Sequence, residues 1–165
     1  MQRLILMRHA TARSSAAGGD IERPLSEAGH AEAVAMGQAL AQRGFKPDMA
    51  LVSASVRTRQ TWEALSEAFG DVDLRIEDAL YNAPARTLSR AVEAAEDEAA
   101  CLLVLAHNPG VHEQAVNYLI ESAASPTILD RFTAGFPPAA AAIFQVDVAG
   151  RCTFEGYLTP AEALK

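Results

Sequence analysis

Short unbroken apolar runs alternate along this chain with longer stretches in which apolar positions recur every three or four residues. That rhythm predicts strands and helices in turn. Arg3–Met7 reads as a short buried strand, Ala50–Val52 as a second, and Cys101–Ala106, apolar throughout, as the most strongly marked. Ser26 suits a helix N-cap. Ala33, Met36, Gly37 and Leu40 then share one helical face, and Gly44 supplies the stop. A helix from about Val56 to Ala68 would bury Thr58, Thr61, Trp62, Leu65 and Phe69. Asp73–Glu77 reads as a third, edge-like strand, and Ala85–Glu96 as a helix with a polar outer face. Asn108-Pro109-Gly110 turns the chain into a helix from Val111 that turns Ala115, Tyr118 and Leu119 to one side. Ser125–Pro138 reads as an irregular connection, and Ala141–Val148 with Cys152–Leu158 as a hairpin around Ala149-Gly150-Arg151. The succession predicts an α/β fold in three layers: a mostly parallel central sheet with helices on both faces and an antiparallel C-terminal hairpin.

Composition narrows the picture. At 165 residues one domain spanning residues 1–165 is the simplest organisation, since a chain of this size buries about 68–70% of its unfolded surface. The apolar runs are far too short to cross a bilayer, and the N-terminus lacks the basic, apolar and small-residue order of a signal peptide. Cys101 and Cys152 have no metal-like spacing and read as buried, reduced thiols, so a cytoplasmic location is expected. A formal net charge of −7 argues against a nucleic-acid partner, and no membrane partner is expected. Yet Arg8, Arg13, Arg23, Arg57 and Arg59 all lie within the first 59 residues. A local positive pocket on an acidic body steers small anions and rejects polyanions.

The candidate chemistry sits where strands give way to loops. Arg8 and His9 follow the first strand, Ser53 and Arg57 the second, and His107 closes the Cys101–Ala106 strand. In open α/β sheets ligands gather beyond the carboxyl ends of the strands, so these residues are expected on one rim. An imidazole with one unprotonated nitrogen attacks phosphorus, and a backbone carbonyl on the other nitrogen would fix the tautomer. Arg8 and Arg57 would clamp phosphoryl oxygens by bidentate, charge-assisted bonds, and a protonated His107 would donate another where charge accumulates. Ser53 is a further candidate donor to phosphate. No metal or other cofactor is called for. His30 and His112 are expected on the solvent side of their helices, with a place on the rim near the His107 loop as the alternative for His112, and Arg59 is expected at the surface.

Four segments in order carry a resemblance: Leu6-Met7-Arg8-His9-Ala10, Pro24-Leu25-Ser26-Glu27-Ala28-Gly29, Ser53 through Thr61, and Leu105-Ala106-His107-Asn108-Pro109-Gly110. Together they resemble the histidine phosphatase superfamily, the phosphoglycerate-mutase-like fold. The resemblance implies that His9 is the phosphorylated nucleophile and that Arg8, Arg57 and His107 complete the phosphate pocket, with Arg13 a further phosphate-proximal position. Ala10, the Leu80-Tyr81-Asn82-Ala83 segment, the late Gly135-Phe136-Pro137-Pro138 and the compact length resemble the SixA-type phosphohistidine phosphatase branch. The mutases carry a glutamate general acid in the region of Glu77-Asp78-Ala79-Leu80-Tyr81; here Glu77, Asp78 or no side chain at all is left for that role, and a missing acid would favour P–N substrates, whose leaving imidazole needs none.

The resemblance implies a metal-independent phosphatase whose partner is a histidine-phosphorylated phosphorelay or phosphocarrier protein. A phosphatase for small sugar or nucleotide phosphates is the nearest alternative. A non-catalytic phosphoprotein-binding module is the rival from another class. A two-histidine metal site is a weaker reading, because no carboxylate or further histidine has suitable spacing.

Overall fold

The computed structural model describes all residues from Met1 to Lys165. One six-stranded sheet runs through it: β1 (Arg3–Arg8), β2 (Met49–Ser53), β3 (Asp73–Glu77), β4 (Cys101–Ala106), β5 (Ala141–Val146) and β6 (Cys152–Leu158). Their spatial order is β3-β2-β4-β1-β5-β6. The first four are parallel, while β5 and β6 run antiparallel to their neighbours. β4 lies between β2 and β1 and is buried along its whole length, which is why its sequence is apolar without alternation. β3 is the exposed edge anticipated from its composition.

Strand side chains point alternately to the two faces. Leu4 and Leu6 of β1, with Leu102 and Val104 of β4, pack on one side with Leu88, Val111 and Leu119. Ile5, Met7, Leu103 and Leu105 pack on the other with Met36, Leu40, Trp62 and Leu65. The first side is covered by α3 (Ala85–Ala94), α4 (Gly110–Glu121) and α5 (Pro126–Thr133), the second by α1 (Glu27–Gln42) and α2 (Val56–Ser66). A last short turn of helix, α6 (Pro160–Ala163), packs against α1.

Local chemistry sets the helix ends. Ser26 and Ser55 cap α1 and α2 by accepting the amides of Gly29 and Thr58 at 3.0 and 3.3 Å. Ser125–Pro138, expected to be irregular, contains α5. Ser125 accepts the Ile128 amide, Pro126 fills the first helical position, and Phe132 is fully buried against the sheet. Phe132, with Ile128 and Leu129 partly buried beside it, anchors a short helix that the sequence pattern did not show. α3 stops at Ala94, two residues before the expected Glu96, and β5 ends at Val146 before a turn closed by the Gly150 amide on the Asp147 carbonyl.

Candidate active site

Because β1, β2 and β4 are parallel neighbours, their carboxyl ends share one rim, and there His9, Ser53 and His107 meet. The His9 and His107 rings lie 5.3 Å apart, tilted by 56°. They border a cavity of ≈ 420 Å³ lined by Arg8, His9, Thr11, Ala12, Asp20, Arg23, Arg57, Asn82, His107, Asn108 and Pro138.

The backbone of His9 is held from both sides: its amide donates to the Ala106 carbonyl and its carbonyl accepts the Ala139 amide, at 3.1 and 2.9 Å. Its Nδ1 lies 2.8 Å from the Ala10 carbonyl oxygen. A carbonyl only accepts, so Nδ1 carries the proton and Nε2 keeps its lone pair. The Ala10 peptide is fixed in turn, its amide donating to Thr61 Oγ1, which donates to the Arg57 carbonyl. Burial, followed by the charges of Arg57, Arg8 and Arg23, pushes His9 down to about 4 against the pull of the Ala10 bond. His9 is therefore neutral at physiological pH.

Arg57 enters from the first turn of α2 and is 3% exposed. Its Nη1 donates to the Asp20 carbonyl at 2.8 Å, and its Nη2 reaches Asp20 Oδ2 at 3.1 Å and His107 Nδ1 at 3.3 Å. Arg8 Nη1 donates to the Phe136 carbonyl at 3.1 Å. The Nε atoms of both arginines are buried without an acceptor. Orphaned donors of this kind are rare in folded proteins. Both guanidiniums line the one cavity, where their charge suits a tetrahedral oxyanion.

His107 differs from expectation. Its Nδ1 accepts from Arg57, so the ring proton sits on Nε2 and is donated to Ser53 Oγ at 2.7 Å. Burial, then His9 and Arg57, pushes it down to about 3, so the surrounding protein keeps it neutral rather than protonated. Ser53, fully buried, serves His107 and does not line the cavity.

Three other expectations are corrected. Arg13 faces a separate cavity with Glu27, His30 and Glu63, and only its carbonyl touches the site, accepting from Arg23 Nη1. Glu77 and Asp78 lie outside the phosphate-sized cavity: the β3 edge turns Glu77 toward another depression beside α3, and Asp78 is exposed. The segment that follows contributes Asn82 instead, with φ at 52°. His112 is half-buried, with Nε2 donating to the Phe132 carbonyl at 2.7 Å, whereas His30 and Arg59 are exposed as expected.

The sequence reading missed Asp20. It is the one carboxylate lining the cavity. It accepts from Tyr81 Oη, from Arg23 Nε at 2.9 Å and from Arg57. The Tyr81 bond, with Arg23 and Arg57 behind it, holds the Asp20 carboxyl down at about 2. Asn108 belongs to the turn expected to lead into a helix. It lines the cavity, donates Nδ2 to the Phe136 carbonyl at 2.9 Å and leaves Oδ1 buried and unpaired. Its position one residue after His107 was the available signal, whereas Asp20 had none beyond its place in the loop that also carries Arg13 and Arg23.

The histidine phosphatase superfamily (branch 1) profile matches residues 4–100. A putative phosphohistidine phosphatase SixA from Agrobacterium tumefaciens superposes with a TM-score of 0.85 at 31% identity, covering 96% of this chain and 98% of that one. The protein histidine phosphatase SixA complexed with tungstate superposes at 0.81 with 25% identity and 99% coverage of both. A 2,3-bisphosphoglycerate-dependent phosphoglycerate mutase from Mesorhizobium japonicum is 47% identical over 51 residues, 31% of this chain. The match spans only 25% of that mutase's length.

Proposed function

The chain belongs to the histidine phosphatase superfamily, in its SixA-type branch, and from that premise we propose that it hydrolyses phosphohistidine on a protein through a phosphoenzyme formed on His9. Arg8 and Arg57 clamp the phosphoryl oxygens and supply the positive charge that the reaction needs. His9 Nε2 attacks phosphorus, the new N–P bond forms, and the substrate's P–N bond breaks with its electron pair returning to the leaving ring. If the other nitrogen of that ring is protonated, it departs as neutral imidazole and needs no acid beside it. Throughout, the Ala10 carbonyl holds the Nδ1 proton of His9 and so supports the cationic phosphoimidazolium. Water then attacks the phosphoenzyme, its protons stay on the released phosphate, and His9 returns as the same neutral tautomer. His107 stays neutral with its proton on Nε2 toward Ser53, and its Nδ1 accepts from Arg57 and so holds that guanidinium in place.

One observation carries the choice of substrate. The only carboxylate facing the cavity is Asp20, held ionised near 2 by Tyr81, Arg23 and Arg57. An alkoxide leaving group needs a proton, and an ionised carboxylate has none to give. A protonated phosphohistidine does not need one. The buried, unpaired thiols of Cys101 and Cys152 support a reducing, cytoplasmic setting.

The test is phosphate release from a histidine-phosphorylated protein compared with a panel of small phosphate esters, for wild type and His9→Ala. Acid-labile, base-stable phosphate is expected on the wild type and not on His9→Ala. A clear preference for esters ends the phosphohistidine assignment, and binding without turnover by the wild type ends the enzymatic one.

A further inference from the structure

Arg8 and Asn108 line the phosphate cavity on one side and a second groove on the other. This groove, ≈ 650 Å³, runs between the first turn of α4, the end of α5, the loop after it and α6. Arg131 and Ala134 to Pro137, from the segment expected to be irregular, form part of its wall. Its floor is aromatic. The His112 ring stacks on Phe136 with centroids 5.8 Å apart. Tyr157 lies edge-on to both Phe132 and Phe136.

Over that floor stands Arg131. Its guanidinium carbon lies 5.3 Å from the centroid of the Tyr157 ring, and its Nη2 reaches the Tyr157 carbonyl at 3.5 Å. A guanidinium laid against an aromatic face keeps its fork of donors in a defined direction. Five ion pairs form in this protein, and neither Arg131 nor Arg8 belongs to any of them. Glu162 is the only acid lining the groove, and it makes no ion pair with either arginine. Two uncompensated guanidiniums thus share one groove on a chain of net charge −7. Arg8 is accounted for by the phosphoryl group. Arg131 is not.

We propose that the groove is the docking surface for the phosphorylated protein and that Arg131 reads an acidic side chain lying beside the phosphohistidine. The inference rests on the function proposed above and names the chemistry of its partner. A phosphohistidine reaching into the first cavity brings its flanking residues past Arg8 and Asn108 into the second. There an Arg–carboxylate pair with two parallel N–H···O bonds supplies register as well as attraction. A small ester occupies only the first cavity and is indifferent to Arg131.

The probes are two histidine peptides phosphorylated with phosphoramidate, identical except that Glu flanks the phosphohistidine in one and Gln in the other, with p-nitrophenyl phosphate as control. An exposed ion pair is a modest interaction, so the wild type is expected to show a KM about three- to fivefold lower for the Glu peptide, with equal kcat. Arg131→Gln erases that preference, Arg131→Glu reverses it, and Arg131→Lys keeps part of it. All three leave p-nitrophenyl phosphate kinetics and the thermal midpoint unchanged. Equal KM values for the two peptides on the wild type, or a preference that survives Arg131→Gln, overturn the groove assignment and leave the phosphohistidine reading standing. Failure of the wild type to release phosphate from either peptide, with the ester still hydrolysed, overturns both.

Discussion

Keeping two imidazoles neutral inside the rim makes this fold sensitive to acid, by an amount the structure sets. In the unfolded chain both rings take a proton near pH 6.5. In the folded protein burial, reinforced by Arg57 and its neighbours, lowers His9 to about 4 and His107 to about 3. Between those values the unfolded state binds more protons, so stability falls as pH falls. The contribution is fully present above about pH 6.5 and drains away as pH drops through about 4 for His9 and about 3 for His107. For His9 alone the loss between pH 7 and pH 4 comes to about 3 kcal/mol. The loss for His107 is of similar size but not additive, because the rings are 5.3 Å apart and charge on one opposes charge on the other. The perturbation is the His9→Asn, His107→Gln double variant, which keeps an N–H for the Ala10 carbonyl and another for Ser53. Urea unfolding, followed by fluorescence of the single, buried Trp62, gives the stability of both proteins at pH 7 and pH 4. Carboxylates titrate alike in the two, so the difference between their acid losses isolates the rings. The wild type should lose at least about 3 kcal/mol more than the variant. Equal losses would show that the rings are not held neutral by the fold, and would remove the basis for His9 as a ready nucleophile.

Other substitutions test other contacts. Asp20 occupies Arg57, a phosphate ligand in the proposed mechanism, so Asp20→Asn should tighten inhibition by inorganic phosphate about threefold, a half-exposed ion pair being worth little more. Weaker inhibition would show that Asp20 builds the site and does not compete for it. A Cβ on Gly110 would sit 2.0 Å from the Ala83 carbonyl oxygen. Gly110→Ala should therefore destabilise by about 2 kcal/mol in urea unfolding, although Ala normally favours a helix by about 1; a stabilised variant would refute that packing. Burial raises the Cys101 thiol to about 11 and Cys152 to about 12. Neither should react with a disulfide reagent at pH 8 until the protein is unfolded, and fast native labelling of either would contradict its placement.

Much of the site was legible because its residues sit beside strong local signals. β4 announced itself as an apolar run, and His107 follows it directly; Arg8 and His9 stand at the end of β1; Ser55 caps the helix that carries Arg57. α5 was missed although Ser125-Pro126 is a good helix start, because only Phe132 of this short helix is fully buried, against a distant strand, with Ile128 and Leu129 partly buried beside it. Glu77 and Asp78 were plausible acids by segment, but a position near a strand end does not say which side chain faces the cavity, and there it is Asn82 that does.

The order of apolar and polar residues by itself determined the alternation of strands and helices, the helix cap at Ser26, and the placing of Arg8, His9, Arg57 and His107 just after strands. Those are local properties, read over one or two turns of chain. Only the tertiary structure decided that Asp20 pairs with Arg57 across 37 residues, that Ser53 serves His107, that Arg13 faces elsewhere, and that both imidazoles are neutral. Each of those depends on which segments the parallel crossovers bring together and on how completely they exclude water, and no short stretch of sequence carries that information.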